Sequence, residues 1–533
     1  MRVAIRVDAS VEIGTGHLRR CLTLARELTR FDAKVWLVCR PLDGVASSVL
    51  RGVEIPVLWL PAADPSEVAV FDHSATEPQH AAWARVAWSR DARETVDVLR
   101  DILPDWVVVD HYAFDASWHE TISRCLHCRL AVIDDLADRP IAADFLLDHN
   151  WASDHKAKYA NCVVGGSLNR MRMLGGPRYA LLGSNYRAAP RYSFHPEVRS
   201  IGIFMGGTDP GAVSLQILAV CRQQIGFEGR IEVVLSSANP HLSSLREACD
   251  QSPNTTLTLD LPDLAAFFAR HDLQIGAGGG ATWERCCIGV PSIVLMIAQN
   301  QFVVVSELAR LGVLCPARVE MRSPVPADDT TKAEPVAGVL RGLLINADLR
   351  RRLGATAMTL VDGLGAQRVA LCLLGDRVRL RKATVSDAHM LHNWRNHPSV
   401  RAVSTQTAEI AYENHMQWLL GALGDPGRVV LIGEIGHRAL GCIRFDNHES
   451  PVTRVSLYID PVLHGLGLGL QLLLAGEQFM AGCAKDIITI IAEVVPGNNA
   501  SERLFTASGY TGGPLRYEKS VKPAPASNYE SKT

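Results

Sequence analysis

The chain has 533 residues, of which 47% are apolar and 21% charged, the composition of folded globular domains at a length too great for one ordinary core. Its 54 basic and 56 acidic side chains leave a net charge of −2, so no global field favours nucleic acid or an anionic membrane surface. No apolar run reaches the roughly 18 residues of a spanning helix, and the chain opens on a strand instead of a signal sequence, so a cytoplasmic protein with no membrane partner is expected.

From residue 1 to about 195, strand-like runs alternate with helical ones. The strands are Val3–Val7, Lys34–Cys39, Trp106–Asp110, Leu130–Asp134 and Phe145–Leu147, while Leu18, Cys21, Leu22, Ala25 and Leu28 recur at helical spacing. This alternation predicts a doubly wound parallel sheet, whose ligands bind beyond the carboxyl ends of the strands. Those ends carry Asp8, Asp110-His111-Tyr112 and Asp134-Asp135. After the first strand comes Gly14-Thr15-Gly16-His17, where a helix N-terminus would offer free N–H groups to a diphosphate. The helix dipole disfavours an imidazolium at His17 and a bound diphosphate favours it, which makes His17 a candidate general base. A capping or solvent-facing histidine is the plainer alternative.

A second α/β series occupies residues 196–375. It starts at Ser200–Phe204 and continues through Gly206-Gly207-Thr208-Asp209, Arg230–Leu235, a short segment near Asp260–Leu264, and Leu273–Gly276. The cluster Gly278-Gly279-Gly280 then precedes a helix near Ala281, a strand at Ser292–Met296, and Asn300-Gln301. Glycines let a backbone approach phosphate or ribose, and Glu284, one turn into the helix, could accept both hydrogen bonds of a ribose diol. A helix at Gln367–Leu374 closes this series. Two such halves facing each other suit a nucleotide-linked ligand.

The pattern changes over residues 376–518. A strand at Val378–Ala383 leads to a helix at Ser386–Arg395 capped by Ser386 and Asp387. Val429–Ile435, Ala439–Phe445 and Arg454–Ile459 read as antiparallel strands, followed by a glycine-rich turn, a long helix to about Gly482 and a strand at Ile487–Val495. Residues 519–533, rich in Pro, Ser and Lys, are expected to be a disordered tail. The thirteen cysteines lie mostly in apolar runs, such as those of Cys39, Cys221, Cys372 and Cys442, and read as reduced core residues. Cys125-Leu126-His127-Cys128 has half the spacing of a zinc site but no second pair, and Cys286-Cys287 is read as structural too, so no metal is expected.

Together, Asp8-Ala9-Ser10, Gly14-Thr15-Gly16-His17, Arg20-Cys21-Leu22, Asp110-His111-Tyr112, Ile133-Asp134-Asp135, Gly206-Gly207-Thr208-Asp209, Gly278–Arg285 and Asn300-Gln301 closely resemble, in order, the UDP-2,4-diacetamido-2,4,6-trideoxy-β-L-altropyranose hydrolases of pseudaminic acid biosynthesis. That family is similar in fold to the two-domain GT-B glycosyltransferases. The resemblance implies that His17 activates the water that inverts the anomeric carbon, and that Glu284 holds the ribose of UDP. It also implies a substrate-binding set of Asp8, Gly14, Gly16, Arg20, Gly206, Gly207, Thr208, Gly279, Thr282, Asn300 and Gln301. One local departure follows Leu182, where the family usually carries an Arg and a Phe and this chain has Gly183-Ser184-Asn185-Tyr186.

Residues 378–516 resemble the GNAT N-acetyltransferases, especially those acting on UDP-4-amino sugars. In His464-Gly465-Leu466-Gly467-Leu468-Gly469-Leu470, the N–H groups of Leu466–Leu470 would take the pyrophosphate of acetyl-CoA at a helix N-terminus. Leu457–Ile459 would pair with its pantetheine, and Asn498 and Ser501 match the family's Asn-x-x-Ser. His464 stands where Arg or Gln is usual, and Phe505 where many members carry the Tyr that protonates the leaving thiolate. That role falls to Tyr510, to water or to no group, with Glu493 the candidate base. Trp394-Arg395-Asn396 resembles the acceptor side, although a packed Trp beside an Arg accounts for it equally well.

The expected whole is a bifunctional enzyme of UDP-activated amino sugars: two facing doubly wound α/β domains followed by a GNAT domain. The alternatives are a GT-B glycosyltransferase, and a UDP-sugar-binding or scaffold protein with a degenerate acetyltransferase domain. No motif in the chain sets an oligomeric state.

Overall fold

The computed structural model describes residues 1–63, 77–164, 171–297, 301–319, 334–447, 451–483, 488–513 and 515–523. The chain divides into two compact units, residues 1–29 with 33–369, and residues 30–32 with 370–533.

The first unit contains two parallel sheets. Strands β1 (Arg2–Val7), β2 (Lys34–Cys39), β3 (Val57–Trp59), β4 (Trp106–Asp110), β5 (Arg129–Ile133), β6 (Phe145–Asp148) and β7 (Arg172–Gly175) lie in the order β3-β2-β1-β4-β5-β6-β7. The second sheet holds β8 (Ser200–Phe204), β9 (Arg230–Leu235), β10 (Thr255–Leu259), β11 (Leu273–Ala277), β12 (Ser292–Leu295) and β13 (Cys315–Ala317), ordered β10-β9-β8-β11-β12-β13. In both sheets the chain runs outward from a central strand in one direction and then in the other. The change of direction falls beside β1 and β4 in the first sheet and beside β8 and β11 in the second, which is where such sheets open a crevice for ligands. All five residues of β4 are buried, as strands covered on both faces require.

The two halves are packed together. The helix Gly365–Leu373 returns to the first half, where a side chain at Gly365 would strike the backbone of Tyr179 and Ala180. Tyr186 and Leu182 of the first half share a buried cluster with Trp283, Cys287, Phe267 and Phe268 of the second.

The second unit is a mixed sheet of β14 (Arg379–Lys382), β15 (Arg428–Ile435), β16 (Arg438–Asp446), β17 (Val452–Ile459), β18 (Ile488–Glu493), β19 (Thr511–Gly513) and β20 (Arg516–Val521), ordered β14-β15-β16-β17-β18-β20-β19. Strands β15 to β17 pair antiparallel, as expected, β14 joins β15 antiparallel too, and β17 and β18 run parallel. Among the described residues no helix is long and apolar enough to cross a membrane.

Two expectations need correction. The tail does not begin at 519: β20 runs to Val521, which pairs with Ile488, because Tyr517 is buried in the apolar cluster of this unit and carries the strand with it. The remainder of that tail, from 524, lies outside the described residues. The short segment near Asp260–Leu264 follows β10, which ends at Leu259, and Asp260 has φ +52°. The cap of the turn at residues 385–387 is Thr384, which forms a capping box with Asp387, instead of Ser386.

Candidate active sites

In the first unit, the turn after β1 is closed by Ser10, whose carbonyl accepts from Gly14 N at 2.8 Å and whose hydroxyl accepts from Ile13 N at 3.0 Å. Gly14 takes φ +78° there, a conformation costly for any side chain. The helix Gly16–Arg30 buries Leu18, Cys21, Leu22 and Leu28. That leaves His17 and Arg20, one turn apart, facing the end of β4.

His17 Nδ1 lies 2.7 Å from Asp110 Oδ1. Arg20 grips the same carboxylate with Nε at 2.6 Å from Oδ2 and Nη2 at 2.6 Å from Oδ1. Burial would raise the Asp110 carboxyl, but Arg20 and His17 outweigh it and hold the group well below the usual carboxylate range. A carboxylate that stays ionised is an acceptor only, so the proton between the two groups sits on His17 Nδ1 and leaves the Nε2 lone pair available. The His17 side chain is 12% exposed. Its ring meets Tyr112 edge-on at 4.7 Å, and Trp83 lies beyond at 6.3 Å.

A polar relay surrounds this pair. The Tyr112 hydroxyl donates to Asp135 Oδ1, and Asn150 Nδ2 donates to Asp135 Oδ2 at 2.7 Å. Trp283 Nε1 of the second half donates to Asn150 Oδ1 at 3.0 Å. His149 Nε2 lies 3.4 Å from Arg20 Nη1, and burial followed by the Arg20 charge pulls its imidazole down to about 4.

Asp8 does not join this group, which corrects its assignment to substrate. Its carboxylate is fully buried and accepts from Arg6 at 2.6 and 2.8 Å and from Arg40 N at 2.7 Å, with His111 Nε2 at 3.2 Å. Asp91 completes the cluster by binding Arg6 and Arg40, each at 2.7 Å. A buried carboxylate with its lone pairs used in this way is structural.

In the second half, Gly206-Gly207-Thr208 form the loop after β8, where Gly206 has φ +101°. The loop is anchored by Ser236 N on Gly207 O at 3.0 Å and by Asn239 Nδ2 on Thr208 O at 2.8 Å. Asp209 caps the next helix through Val213 N and Ser214 N. After β11, a side chain at Gly278 would meet Val305 at 2.8 Å and Gln301 Oε1 at 3.1 Å, whereas Gly279 and Gly280 face open space. Gln301 Oε1 accepts from Ile297 N at 3.1 Å, so Gln301 shapes this loop. Asn300 lies outside the described residues.

Thr282 is buried and accepts from Arg285 Nη2 at 3.1 Å, so it braces that arginine instead of facing a ligand, a second correction. Burial lowers the Arg285 guanidinium to about 10. Glu284 Oε2 accepts from the Tyr186 hydroxyl at 2.6 Å. Burial raises the Glu284 carboxyl, opposed by that hydrogen bond and by the charges of Arg285 and Arg19. Arg19 belongs to the first turns of the His17 helix, so the first half contributes to the electrostatic surroundings of Glu284.

In the second unit, β17 and β18 pair from Val452↔Thr489 to Val455↔Ala492 and no further. Ser456–Ile459 therefore lack a strand partner on that side among the described residues. Gly465 (φ +83°) and Gly467 (φ +63°) turn the chain into the helix Leu468–Cys483, whose first N–H groups include those of Gly469 and Leu470. His464 Nε2 lies 3.1 Å from Ile459 O and ties this turn to the end of β17. Asn498 caps the helix Asn499–Ala507 by accepting from Ser501 N at 3.1 Å.

Phe505 and Tyr510 pack at 5.0 Å in the buried cluster, and burial with the Glu477 charge raises the Tyr510 phenol. Glu493 ends β18 with its side chain 57% exposed, 3.2 Å from Arg454. Trp394 is buried, and Asn396 clasps Ile410 through Nδ2 to O at 2.7 Å and Ile410 N to Oδ1 at 2.9 Å. Neither ring nitrogen of buried His415 has a hydrogen-bond partner among the described residues. Among those residues no group of three His, Cys, Asp or Glu side chains is placed to hold a metal.

Asp110 was visible in the sequence as the acid ending a central strand, without a role attached. Tyr186, Asn150 and Arg19 carried no such signal, because their partners are distant in the chain.

Residues 377–511 match the acetyltransferase (GNAT) domain family. The spore coat polysaccharide biosynthesis protein SpsG of Bacillus subtilis is 28% identical over 228 residues, 40% of this chain and 65% of its own length, just under two thirds. The UDP-2,4-diacetamido-2,4,6-trideoxy-β-L-altropyranose hydrolase of Campylobacter jejuni is 22% identical over 316 residues, 58% of this chain and 97% of that protein. Among solved structures, MurG of Acinetobacter baumannii superposes with a TM-score of 0.46 at 14% identity, covering 69% of this chain and 98% of that one. The chain thus joins a region similar to a sugar-nucleotide hydrolase to a C-terminal acetyltransferase domain.

Proposed function

We propose that the first unit hydrolyses a UDP-activated 2,4-diacetamido-2,4,6-trideoxy sugar with inversion, in a cytoplasmic enzyme of pseudaminic acid biosynthesis. The observation that carries this reading is the His17–Asp110 contact of 2.7 Å at the head of a helix. Asp110 holds the proton on Nδ1, and Nε2 takes a proton from water as the water oxygen attacks the anomeric carbon. The bond from that carbon to the UDP oxygen breaks, and UDP leaves against the N–H groups of Thr15 and Gly16, beyond the Gly14 amide that is held by Ser10 O, and of the Gly279–Gly280 loop. Asp110 stays ionised throughout and stabilises the imidazolium, as the acid does in a Ser-His-Asp triad.

The second unit is proposed to acetylate the 4-amino group of the precursor UDP-sugar. The pantetheine of acetyl-CoA would lie in the opening between β17 and β18, with its pyrophosphate on the Gly467–Gly469 amides of the Leu466–Leu470 stretch, since Leu466 N and Leu470 N donate to Leu463 O and Gly467 O. Glu493 is the candidate base, and Arg395, one residue past buried Trp394, lies on the acceptor side. The amine attacks the acetyl carbonyl, the C–S bond breaks, and CoA leaves as thiolate to be protonated by water, since Phe505 has no proton and Tyr510 is in the core. Both steps on one chain would raise the effective concentration of the shared intermediate if the two sites can reach one another.

The test supplies the UDP-4-amino sugar with and without acetyl-CoA and identifies the products by mass spectrometry. Free diacetamido sugar and UDP are expected only when acetyl-CoA is present, and His17→Ala should retain UDP binding and lose hydrolysis by roughly 10²–10⁴-fold. UDP release that needs an added acceptor would make the first unit a glycosyltransferase. Binding of both ligands without turnover would make the chain a binding protein.

A further inference from the structure

We infer that Tyr186 is a positioning residue for Glu284, and that its hydroxyl makes the recognition of a ribose diol by this chain a two-residue device. The inference rests on the reading of Glu284 as the ribose acceptor. It goes beyond that reading because Tyr186 falls in Gly183–Tyr186, the segment where this chain departs from the hydrolases it resembles. A Phe there would have no hydroxyl to offer.

The direction of the hydrogen bonds is fixed. Leu264 N donates to the Tyr186 oxygen at 3.3 Å, so the phenol's own proton is directed to Glu284 Oε2, 2.6 Å away. Burial, and next the Glu284 charge, push the phenol far above its ordinary range, so it remains a donor at every working pH. The ring is buried among Trp283, Cys287 and Phe268, which leaves the hydroxyl little freedom to move. Among the described residues Glu284 makes no other hydrogen bond, so Oε1 is the oxygen left to receive the sugar hydroxyls.

Two consequences follow from the chemistry of a charge-assisted hydrogen bond. The carboxylate is turned so that one oxygen faces the ligand, which spares the rotamer entropy that a free glutamate loses on binding. The bond also favours the ionised carboxyl against the burial that raises it. Without the hydroxyl, Glu284 would be both looser and protonated up to a higher pH. A protonated carboxyl accepts less well from a diol.

The experiment measures the binding of UDP and of 2′,3′-dideoxyuridine diphosphate to the full chain by calorimetry between pH 5 and 8. The wild type should prefer UDP, and equal affinity for the two nucleotides would overturn the ribose reading of Glu284 and this proposal with it. In Tyr186→Phe, UDP affinity should fall roughly tenfold while the dideoxy affinity holds. The acid loss of UDP binding should also move to higher pH. Wild-type affinity and pH dependence in Tyr186→Phe, or an equal loss for both nucleotides, would overturn the positioning role while leaving the ribose reading standing. As a second check, Tyr186→Phe in a Glu284→Gln background should change UDP affinity by less than about twofold. A further full tenfold loss there would show Tyr186 acting independently of Glu284.

Discussion

His17 and Asp110 meet at 2.7 Å although 93 residues separate them, and the carboxylate that fixes the imidazole is also held by Nε and Nη2 of Arg20. One buried acid therefore serves two side chains of a single helical turn. Replacing it with an amide keeps the shape and changes the proton arrangement: the new NH₂ group could donate to His17 Nδ1 and turn the lone pair inward. Asp110→Asn should lower hydrolysis by roughly 10²–10⁴-fold with UDP affinity unchanged. Combined with His17→Ala it should add little, because the two act as a unit. Steady-state kinetics of the single and double variants check this, and additive losses would separate the two residues.

His149 predicts how the first unit responds to acid. Its imidazole is pulled down to about 4 in the folded chain, whereas an unfolded histidine takes up a proton near 6.5. Below that value the unfolded state binds more protons, so the contribution is complete above about pH 6.5 and is lost as the pH falls toward 4. The full difference is roughly 3 kcal/mol. Urea midpoints at pH 7 and 4.5 should drop further for the wild type than for His149→Gln. Parallel pH profiles for the two proteins would refute the linkage.

Gly467→Val should abolish acetyl transfer and spare hydrolysis. The residue sits at φ +63° in the turn proposed to receive pyrophosphate, where a β-branched side chain is strained. Separate assays of CoA release and UDP release decide it, and loss of both would tie the two units together.

Glu493→Gln should slow acetyl transfer by roughly 10–10²-fold with the KM for acetyl-CoA unchanged. The pairing with Arg454 is exposed on both sides, so it is worth little and leaves the carboxylate free to act. Transfer at the wild-type rate would reduce Glu493 to a surface ion pair.

Much of this fold is legible from hydrophobic pattern alone. Lys34–Cys39, Trp106–Asp110 and Arg230–Leu235 have the same limits in sequence and structure, because short runs rich in Val, Ile and Leu, mostly buried at their carboxyl ends, leave little else for those residues to do. The strands Val57–Trp59, Arg172–Gly175 and Thr511–Gly513 do not stand out. Three or four residues are too few to show a period, and it is their neighbours in the sheet that make them strands. At the site, His17 announces itself through the glycines before it. Asp8 misleads for the opposite reason: an acid at the end of a central strand looks like a ligand contact until Arg6 and the Arg40 amide close on it, with Asp91 holding both arginines from a distant helix. Tyr186 and Glu284 are 98 residues apart, and only folding puts the phenol against the carboxylate.

The early end of the β17–β18 pairing leaves an edge inside a sheet instead of at its margin. Such an edge offers amides and carbonyls at a fixed rise of about 3.3 Å per residue, a ruler that reads spacing along a chain and is blind to side chains. A thin amide-bearing tether can be measured against it, while a bulky or unevenly spaced one is refused. Substitution at Ser456 or Leu457 would leave that ruler intact, so this part of the domain can drift in residue type and keep its grip. The Gly465–Gly467 turn has no such latitude, since Gly465 and Gly467 stand at φ +83° and +63°, where a side chain is strained.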